Sequence, residues 1–375
     1  MTVVAENRTI SDAPPTGREE AWRFTPLSRL RGLHLSVDGA DQASINIVAS
    51  PEARVESVAT HTLDAPSGPV EYQCRLVLEA APLSSLLILP RNSVGSVPSV
   101  ITITGTGTEL PTVGNLVIRA EQGSTGVVVI EHVGSTSYVG NVEIEVGDGA
   151  DLTVISIQSW ADDTVHLGRQ HAQLGRDSRF RSLVATLGGD VVRVVPTVSY
   201  SAPGGDAELL GVFFAERGQH VEHRLQVDHS EPHCRSNVVY KGALQDDGTH
   251  SVWIGDVLIR AEAVGTQTYE INRNLLLTTG ARADSVPNLE IETGNVTGAG
   301  HASATGRFDD EQLFYLRSRG IDADSARRLV VHGFFAEIVG RIPTEGVGAR
   351  IMAAIERKLA GGDDARTPDR DGGEQ

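Results

Sequence analysis

Residues 292–342 read ETGNVTGAGHASATGRFDDEQLFYLRSRGIDADSARRLVVHGFFAEIVGRI and join two patterns that need different secondary structures. Before Phe308 the chain is rich in Gly, Thr and Ser with short β-branched runs, which favour strands and tight turns. After Phe308, apolar residues recur three and four positions apart for about 50 residues, which is typical of amphipathic helices. The fold is therefore expected to change from strands to helices here, and a lone His301 lies at the junction.

Upstream, from about Gly32 to Glu292, the chain offers one strand candidate after another and almost no helical periodicity. In residues 142–146 apolar side chains alternate with glutamates, which is the period of a half-buried strand. Glycine supplies the positive φ that turns between such runs need. Four of these turns begin at Gly147, Gly175, Gly204 and Gly280.

The first three turns follow one another at nearly equal intervals, and the gap to the fourth would hold two or three more such units. A period of about 28 residues with two or more strands per unit predicts a mainly β fold, a parallel β-helix. An array of immunoglobulin-like sandwiches would need separate domains of about 100 residues joined by linkers. No Pro- or Ser-rich linker interrupts this region.

Three helices are predicted after Gly306. The first begins with Asp309 as N-cap and Gln312 in the capping-box position, and Gly320 ends it. The second runs from about Asp322 to Arg341. Its apolar positions form two adjacent stripes, and Gly333 and Gly340 within it suggest close packing of another backbone. The third carries Val347, Ile351, Ile355 and Leu359 at a spacing of four.

Such a short helical module has apolar surface on more than one side. It could pack on the end of the β-helix or present a face to another protein, and the residues leave both alternatives open.

We divide the chain into residues 1–31, a leader and docking segment; 32–306, the β-helix; 307–360, the helical subdomain; and 361–375, a disordered acidic tail. In the first part, residues 17–30 concentrate Trp22 and Phe24 beside charges, so this segment is expected to dock onto the body.

Charge and composition exclude several classes of protein. The 375 residues include 32 basic and 49 acidic side chains, a net charge of -17, which disfavours binding to nucleic acid or to an anionic membrane. The first residues lack a signal-peptide pattern, and no apolar run is long enough for a membrane span, so we expect a cytoplasmic protein. Two cysteines are too few for a disulfide framework.

Signatures of common enzymes are missing: the sequence contains no GxxxxGK[ST], no GxSxG and no HExxH. The remaining candidate ligands are histidines and one cysteine. His166 and His171 are five positions apart around a predicted turn, and a structural role is favoured for both. A structural role is also favoured for the group His229, His233 and Cys234, which lies in a turn that enters a strand.

His301 differs because its small Gly, Ala and Ser neighbours leave the imidazole accessible. Imidazole can bind iron, although one ligand cannot hold an iron–sulfur cluster. From the residues alone, a surface or structural histidine remains the alternative.

Three stretches resemble the SufB/SufD family of iron–sulfur cluster assembly proteins. They are GREEAWRFTPL at 17–27, HCRSNVVYKGAL at 233–244, and GHASATGRFDDEQLFYLRSRGI at 300–321 followed by HGFFAEIVGRI. The resemblance implies a right-handed parallel β-helix flanked by helical segments, and a scaffold rather than an enzyme. It also implies a β-helix heterodimer with SufB, and binding of the ATPase SufC through the C-terminal helices. ATP would act only through SufC, which fits the missing P-loop.

Within the family the SufD pattern is favoured over SufB. The cluster-binding cysteine of SufB-like chains falls near Asn272, where this chain has no thiol, and a cysteine of some relatives is Ala299 here. The resemblance implies that His301 is a ligand for a nascent cluster shared with SufB. It further implies that downstream apo-proteins accept the cluster, and it allows a flavin in the complex. The residues expected to contact SufC are Val330, Phe334, Phe335 and Ile338.

Two rival hypotheses remain. One is a purely structural β-helical interaction protein without metal involvement. The other is a polysaccharide-active β-helix enzyme, which would need a groove of clustered carboxylates and normally an export signal.

Overall fold

A computed structural model describes residues 13–68, 71–308 and 310–364 of the chain. Most of the expected leader, the expected N-cap Asp309 and residues 365–375 of the expected tail lie outside this part. The side chain of Gln312 is also outside it.

Seventeen strands of the described chain form a β-solenoid of about 8 turns, with antiparallel ladders only at its first end and parallel ladders elsewhere, so the predicted mainly β fold and parallel β-helix are confirmed. Its first end is built from β1 Asp41–Gln42, β2 Ser44–Val48, β3 Arg54–Ala59 and β4 Leu83–Leu89. Two long strands follow, β5 Ser99–Ala120 and β6 Thr125–Val146, and each bends across both sides of the solenoid.

Beyond β6 each turn contributes one strand to each side. One side, which we call the odd face, contains β7 Asp151–Trp160, β9 Arg179–Thr186, β11 Asp206–Ala215, β13 Arg235–Leu244, β15 Thr266–Leu276 and β17 Val296–Arg307. The other, the even face, contains β8 Val165–Leu174, β10 Val191–Tyr200, β12 His220–His229, β14 His250–Ile259 and β16 Arg282–Ile291. The ladder is continuous, which excludes separate sandwich domains.

The spacing of the turns increases along the chain. The stacked residues at the start of the even-face strands are Val165, Val191, His220, His250 and Arg282, each paired with the next. Each interval in this series is longer than the one before it. The period predicted from the early turns therefore holds for the middle of the solenoid, and the late turns are longer.

One corner of the solenoid has a residue in the left-handed conformation in each turn. Gly149, Asp177 and Gly204 have φ values of 64°, 51° and 86°. Each donates its backbone N–H to a carbonyl of the next turn, which satisfies corner groups that would otherwise need water. This corner is the Gly- and Asp-rich turn chemistry that the sequence indicated.

The N-terminal segment covers the outer surface of the even face. Trp22 is buried, and the Arg193 guanidinium lies 3.9 Å from the centre of its ring. Thr25 donates a 2.8 Å hydrogen bond to Glu222. Although burial acts to raise it, neighbouring Arg193 lowers the pKa of Glu222 to about 2. The aromatic and charged residues of segment 17–30 thus serve to attach it to the solenoid, as its composition predicted.

A helix that the sequence analysis missed also covers this face. Helix α1, Tyr72–Ala80, interrupts the region that we expected to contain strands alone, and it buries Cys74 and Val77. With 9 residues it is too short for a clear apolar period.

Three helices follow the last strand, as predicted: α2 Asp310–Ser318, α3 Ala323–Val339 and α4 Glu345–Asp364. The side chain of Asp322 caps α3 by accepting hydrogen bonds from the N–H groups of Asp324 and Ser325. No helix among the described residues is long and apolar enough to cross a membrane.

Helices α3 and α4 pack along the outer surface of the odd face and not on the end of the solenoid. The four residues predicted at a spacing of four on α4 are all buried there, against strands from several turns. Lys241 on β13 donates to Glu337 on α3, and Lys358 on α4 donates to buried Glu216. The expectation that Gly333 admits a close backbone is wrong for the described chain, because nothing lies within 4 Å of a Cβ placed there.

Candidate functional site

His301 lies on β17, the last strand of the odd face. No strand of the described chain pairs with the outer edge of β17, which is hydrogen-bonded to β15 alone. His301 is directly above Glu270 in the ladder, so both side chains point toward the lumen of the solenoid. The imidazole remains 44% exposed because the lumen is open above it.

Glu270 is the carboxyl group that faces His301 in the ladder. Its side chain is only 1% exposed, and its Oε1 lies 3.9 Å from His301 Nδ1. Neither carboxylate oxygen has a hydrogen-bond partner among the described residues. Burial and, secondarily, the charge of Asp256 raise the pKa of Glu270 to about 8. The isolated chain therefore holds an unsatisfied carboxyl group directly beneath its accessible histidine.

The carboxyl group of Glu270 reaches across the lumen to the even face. A Cβ placed on Gly255 of β14 would overlap Glu270 Oε2, and it would lie 2.5 Å from the ring of Trp253. The indole Nε1 of Trp253 has no hydrogen-bond partner among the described residues either. Glycine at 255 thus leaves room for the carboxyl group of Glu270 between the two faces.

Directly beneath His301 the inward residues of β15 are polar, whereas those one turn below are mostly apolar. On β13 the inward residues Val238 and Tyr240 are buried, and their neighbours on β15 are Glu270 and Asn272. Asn272 Nδ2 donates to the carbonyl of Tyr240 at 3.3 Å. Asn272 is the position where the family resemblance placed the missing thiol, and its fully buried amide points into the lumen. In β17 the residues above it are small and polar.

Two groups of candidate ligands do not form sites. His166 and His171 were expected on either side of a turn, but both lie within β8 and point to opposite faces of the sheet. His166 accepts a hydrogen bond from buried Trp160, and His171 bonds Thr197 at 2.6 Å. Burial lowers the pKa of His171 to about 3.

His229, His233 and Cys234, the second group, also lie apart from one another in function and environment. His229 stacks on Tyr200 with ring centres 4.8 Å apart, and burial lowers its pKa to about 4. His233 occupies the left-handed corner with φ 60°, where its N–H donates to the carbonyl of Val264. Cys234 is buried without a disulfide. Among the described residues no three His, Cys, Asp or Glu side chains converge on one point.

The residues expected to contact an ATPase divide between the two sides of α3. Phe335 and Ile338 are fully buried against the odd face, so they are not available to a partner in this chain. Val330 and Phe334 are half-buried. Among the described side chains of this region, the large apolar ones that are exposed are instead Phe314, Tyr315 and Leu329, with 75%, 57% and 55% of their surface accessible. We call these three residues the α2–α3 patch.

Comparison with known proteins adds an independent finding. Residues 102–334 match the family described as SUF system FeS cluster assembly, SufBD core domain. An iron–sulfur cluster assembly SufBD family protein of Mycobacterium bovis is 52% identical over 357 residues, which are 92% of this chain and 89% of that protein. SufD of Bacillus subtilis is 33% identical over 221 residues, 58% of this chain and 49% of that one. SufD of Escherichia coli is 28% identical over 219 residues, 58% and 51% of the two chains.

Proposed function

Because the chain belongs to the SufBD family of iron–sulfur cluster assembly proteins, we propose that it is a SufD-like scaffold subunit that pairs with a SufB-like subunit. In this proposal the chain performs no catalysis itself. The two subunits build a transient cluster at their interface, and downstream apo-proteins receive it.

The open end of the solenoid is the observation that carries the proposal. The outer edge of β17 has no partner strand in the described chain, and an exposed parallel edge is a template for a strand of another chain. His301 stands on this edge strand and is accessible from outside. A subunit that pairs there would bring its own ligands within reach of the imidazole.

The cysteines support a shared cluster. Cys74 and Cys234 are the two cysteines of the sequence, and both are buried and free. Burial raises the pKa of the Cys74 thiol to about 12, and it also raises the pKa of Cys234. Thiolates are the usual ligands of iron–sulfur clusters, so a SufB-like partner has to supply them. Free cysteines also fit the reducing cytoplasm, where we expect this assembly to work.

A SufC-like ATPase is the second proposed partner, and it supplies the only ATP chemistry. We assign its contact to the α2–α3 patch together with half-buried Val330 and Phe334. Helices α2 and α3 pack on each other, and the three residues of the patch are exposed. Phe335 and Ile338 act indirectly, because they hold α3 on the odd face.

The docking proposal is tested with Leu329→Asp in a pull-down with a SufC-like ATPase. We expect capture of the ATPase to be lost while the solenoid stays folded. Leu110→Asp is the matched control, since Leu110 is 50% exposed on β5, outside the helical subdomain. Equal capture by all three proteins would reject the patch as the docking surface.

The cluster proposal is tested by anaerobic co-expression with SufB-like and SufC-like subunits, followed by iron and acid-labile sulfide determination on the recovered complex. We expect His301→Ala to lower cluster content several-fold without lowering recovery of the complex. His61→Ala removes an exposed histidine elsewhere on the chain and should change neither quantity. A complex that never contains iron would favour the purely structural alternative.

A further inference from the structure

The buried carboxyl of Glu270 needs an explanation that the solenoid alone does not provide. A buried carboxyl group without hydrogen bonds opposes folding, and native proteins rarely keep one without a function. Leu or Val at this position would continue the apolar stack of Leu209 and Val238 on β11 and β13. Glu270 instead places a carboxyl oxygen 3.9 Å from His301 Nδ1 on the edge strand.

We propose that Glu270 and His301 together form a two-ligand site for ferrous iron at the open end of the solenoid. The inference rests on the proposed function, since it assigns a second ligand to the same site. Ferrous iron arrives there as cargo for the cluster, and the remaining coordination positions stay open for ligands of the partner subunit.

The geometry fits one ion. Ligand atoms about 2.1 Å from a shared metal ion lie about 3.0 to 3.4 Å apart at octahedral or tetrahedral angles. Glu270 Oε1 and His301 Nδ1 are 3.9 Å apart, so a small rotation of the accessible imidazole brings both onto one ion. The carboxylate needs little movement, because it is held between the two faces beside Gly255.

The chemistry of the two donors also fits. An imidazole nitrogen with a carboxylate oxygen is a donor set that divalent first-row metals such as Fe²⁺ accept. When the ion binds, the Glu270 carboxyl group releases its proton to solvent, and the resulting negative charge compensates part of the charge of the ion. Trp253 and Tyr240 fill the lumen below, each at most 1% exposed, so the ion stays at the open end.

The test is anaerobic calorimetric titration of the isolated full chain with Fe²⁺ alone. Glu270→Gln keeps the shape of the side chain and removes the charged donor, and His301→Ala removes the imidazole. We expect each variant to bind Fe²⁺ at least tenfold more weakly than the unchanged chain. Glu292→Gln is the control, because Glu292 is an exposed carboxylate just after β16 at the same end, and it should bind as the unchanged chain does.

The outcomes separate this inference from the proposed function. If His301→Ala loses binding and Glu270→Gln does not, Glu270 is not a ligand and the role of His301 survives. If the unchanged chain shows no Fe²⁺ binding that depends on either residue, the two-ligand site is rejected. The proposed scaffold function would not be affected by this result, because the co-expression experiment tests it separately. Near-ultraviolet circular dichroism verifies that Glu270→Gln is folded, and Co²⁺-induced broadening of the His301 imidazole resonances provides a second readout of binding at this position.

Discussion

Replacing Glu270 with glutamine should change how the stability of this protein depends on pH. The carboxyl group is 1% exposed and makes no hydrogen bond among the described residues, so its ionised form is poorly solvated when the chain is folded. Burial accordingly raises its pKa from 4.5 to about 8. Glutamine has nearly the same shape but never ionises, so the variant isolates the cost of the charge.

The sign and size of the effect follow from proton binding. Between pH 4.5 and 8 the folded chain holds a proton on Glu270 that the unfolded chain has released, so the free energy of unfolding falls as the pH rises through this window. Each pKa unit corresponds to about 1.4 kcal/mol, so this shift costs the unchanged chain at most about 5 kcal/mol above pH 8. Glu270→Gln has no such loss.

The assay is urea unfolding of the two proteins at pH 5 and pH 8.5, followed by tryptophan fluorescence, since Trp253 lies beside the carboxyl group. Replacing the neutral carboxyl by an amide changes the free energy of unfolding by the same amount at both pH values. We therefore compare how much the free energy of unfolding changes between pH 5 and pH 8.5 in each protein. We expect Glu270→Gln to gain several kcal/mol relative to the unchanged chain at the higher pH. Equal pH dependences would refute the reasoning, and Glu292→Gln controls for the change in net charge.

Three further predictions concern the layers that pack on and inside the solenoid. Arg193→Met should cost about 3 to 5 kcal/mol in urea unfolding, because it leaves buried Glu222 without its cation; a loss below about 1 kcal/mol would mean that the pair is not needed. Gly242→Ala should destabilise by at least about 1 to 3 kcal/mol in thermal melts, because its Cβ would overlap the ring of Phe213. Gly298→Ala, with nothing within 4 Å, should have far less effect, and equal melting temperatures of the two variants would contradict the packing argument. Ile355→Ala should cost about 2 to 5 kcal/mol and increase protease cleavage of α4, since Ile355 is fully buried; unchanged proteolysis would show that α4 does not depend on this contact.

The repeated turns made the solenoid predictable from the sequence. The strand register of its last turns was not predictable in the same way. Residues 147, 175 and 204 begin equivalent turns at nearly equal intervals, and this period predicts stacked turns of strands. The same period places Arg273, rather than Glu270, beneath His301. The late turns are longer, and a shift of a few residues in a strand changes which side chain meets the histidine and which face it occupies.

Of the two residues in the candidate site, the sequence pointed to His301 but not to Glu270. His301 stood out because small neighbours and the change from strands to helices surround it. Glu270 was missed, although β15 carries a sequence signal: Thr268, Glu270, Asn272 and Asn274 alternate along it and all four are polar. Glu270 stands in the column where β13 and β11 have Val238 and Leu209. Polar alternation usually marks the outer face of a strand, so this pattern suggests the wrong side unless the register is known.

The helical subdomain shows a different limit of sequence reasoning. The apolar period of α3 predicted the helix and its apolar positions, but not which of them this chain buries. Phe335 and Ile338, which were expected to contact a partner, are buried against the solenoid. The period does not reveal whether the covering surface belongs to the same chain or to another one. Here the odd face of the solenoid supplies the cover, and the residues of the α2–α3 patch remain exposed.

Hydrogen–deuterium exchange of the β17 amides tests the central claim most directly, which is that another subunit completes the open end of this solenoid. The measurement compares the isolated chain with its complex with a SufB-like subunit, and the amides of β6, inside the solenoid, serve as the internal reference. We predict slower exchange in 296–307 within the complex and no change in β6. A complex that forms while β17 exchanges at the same rate as in the isolated chain would contradict the account.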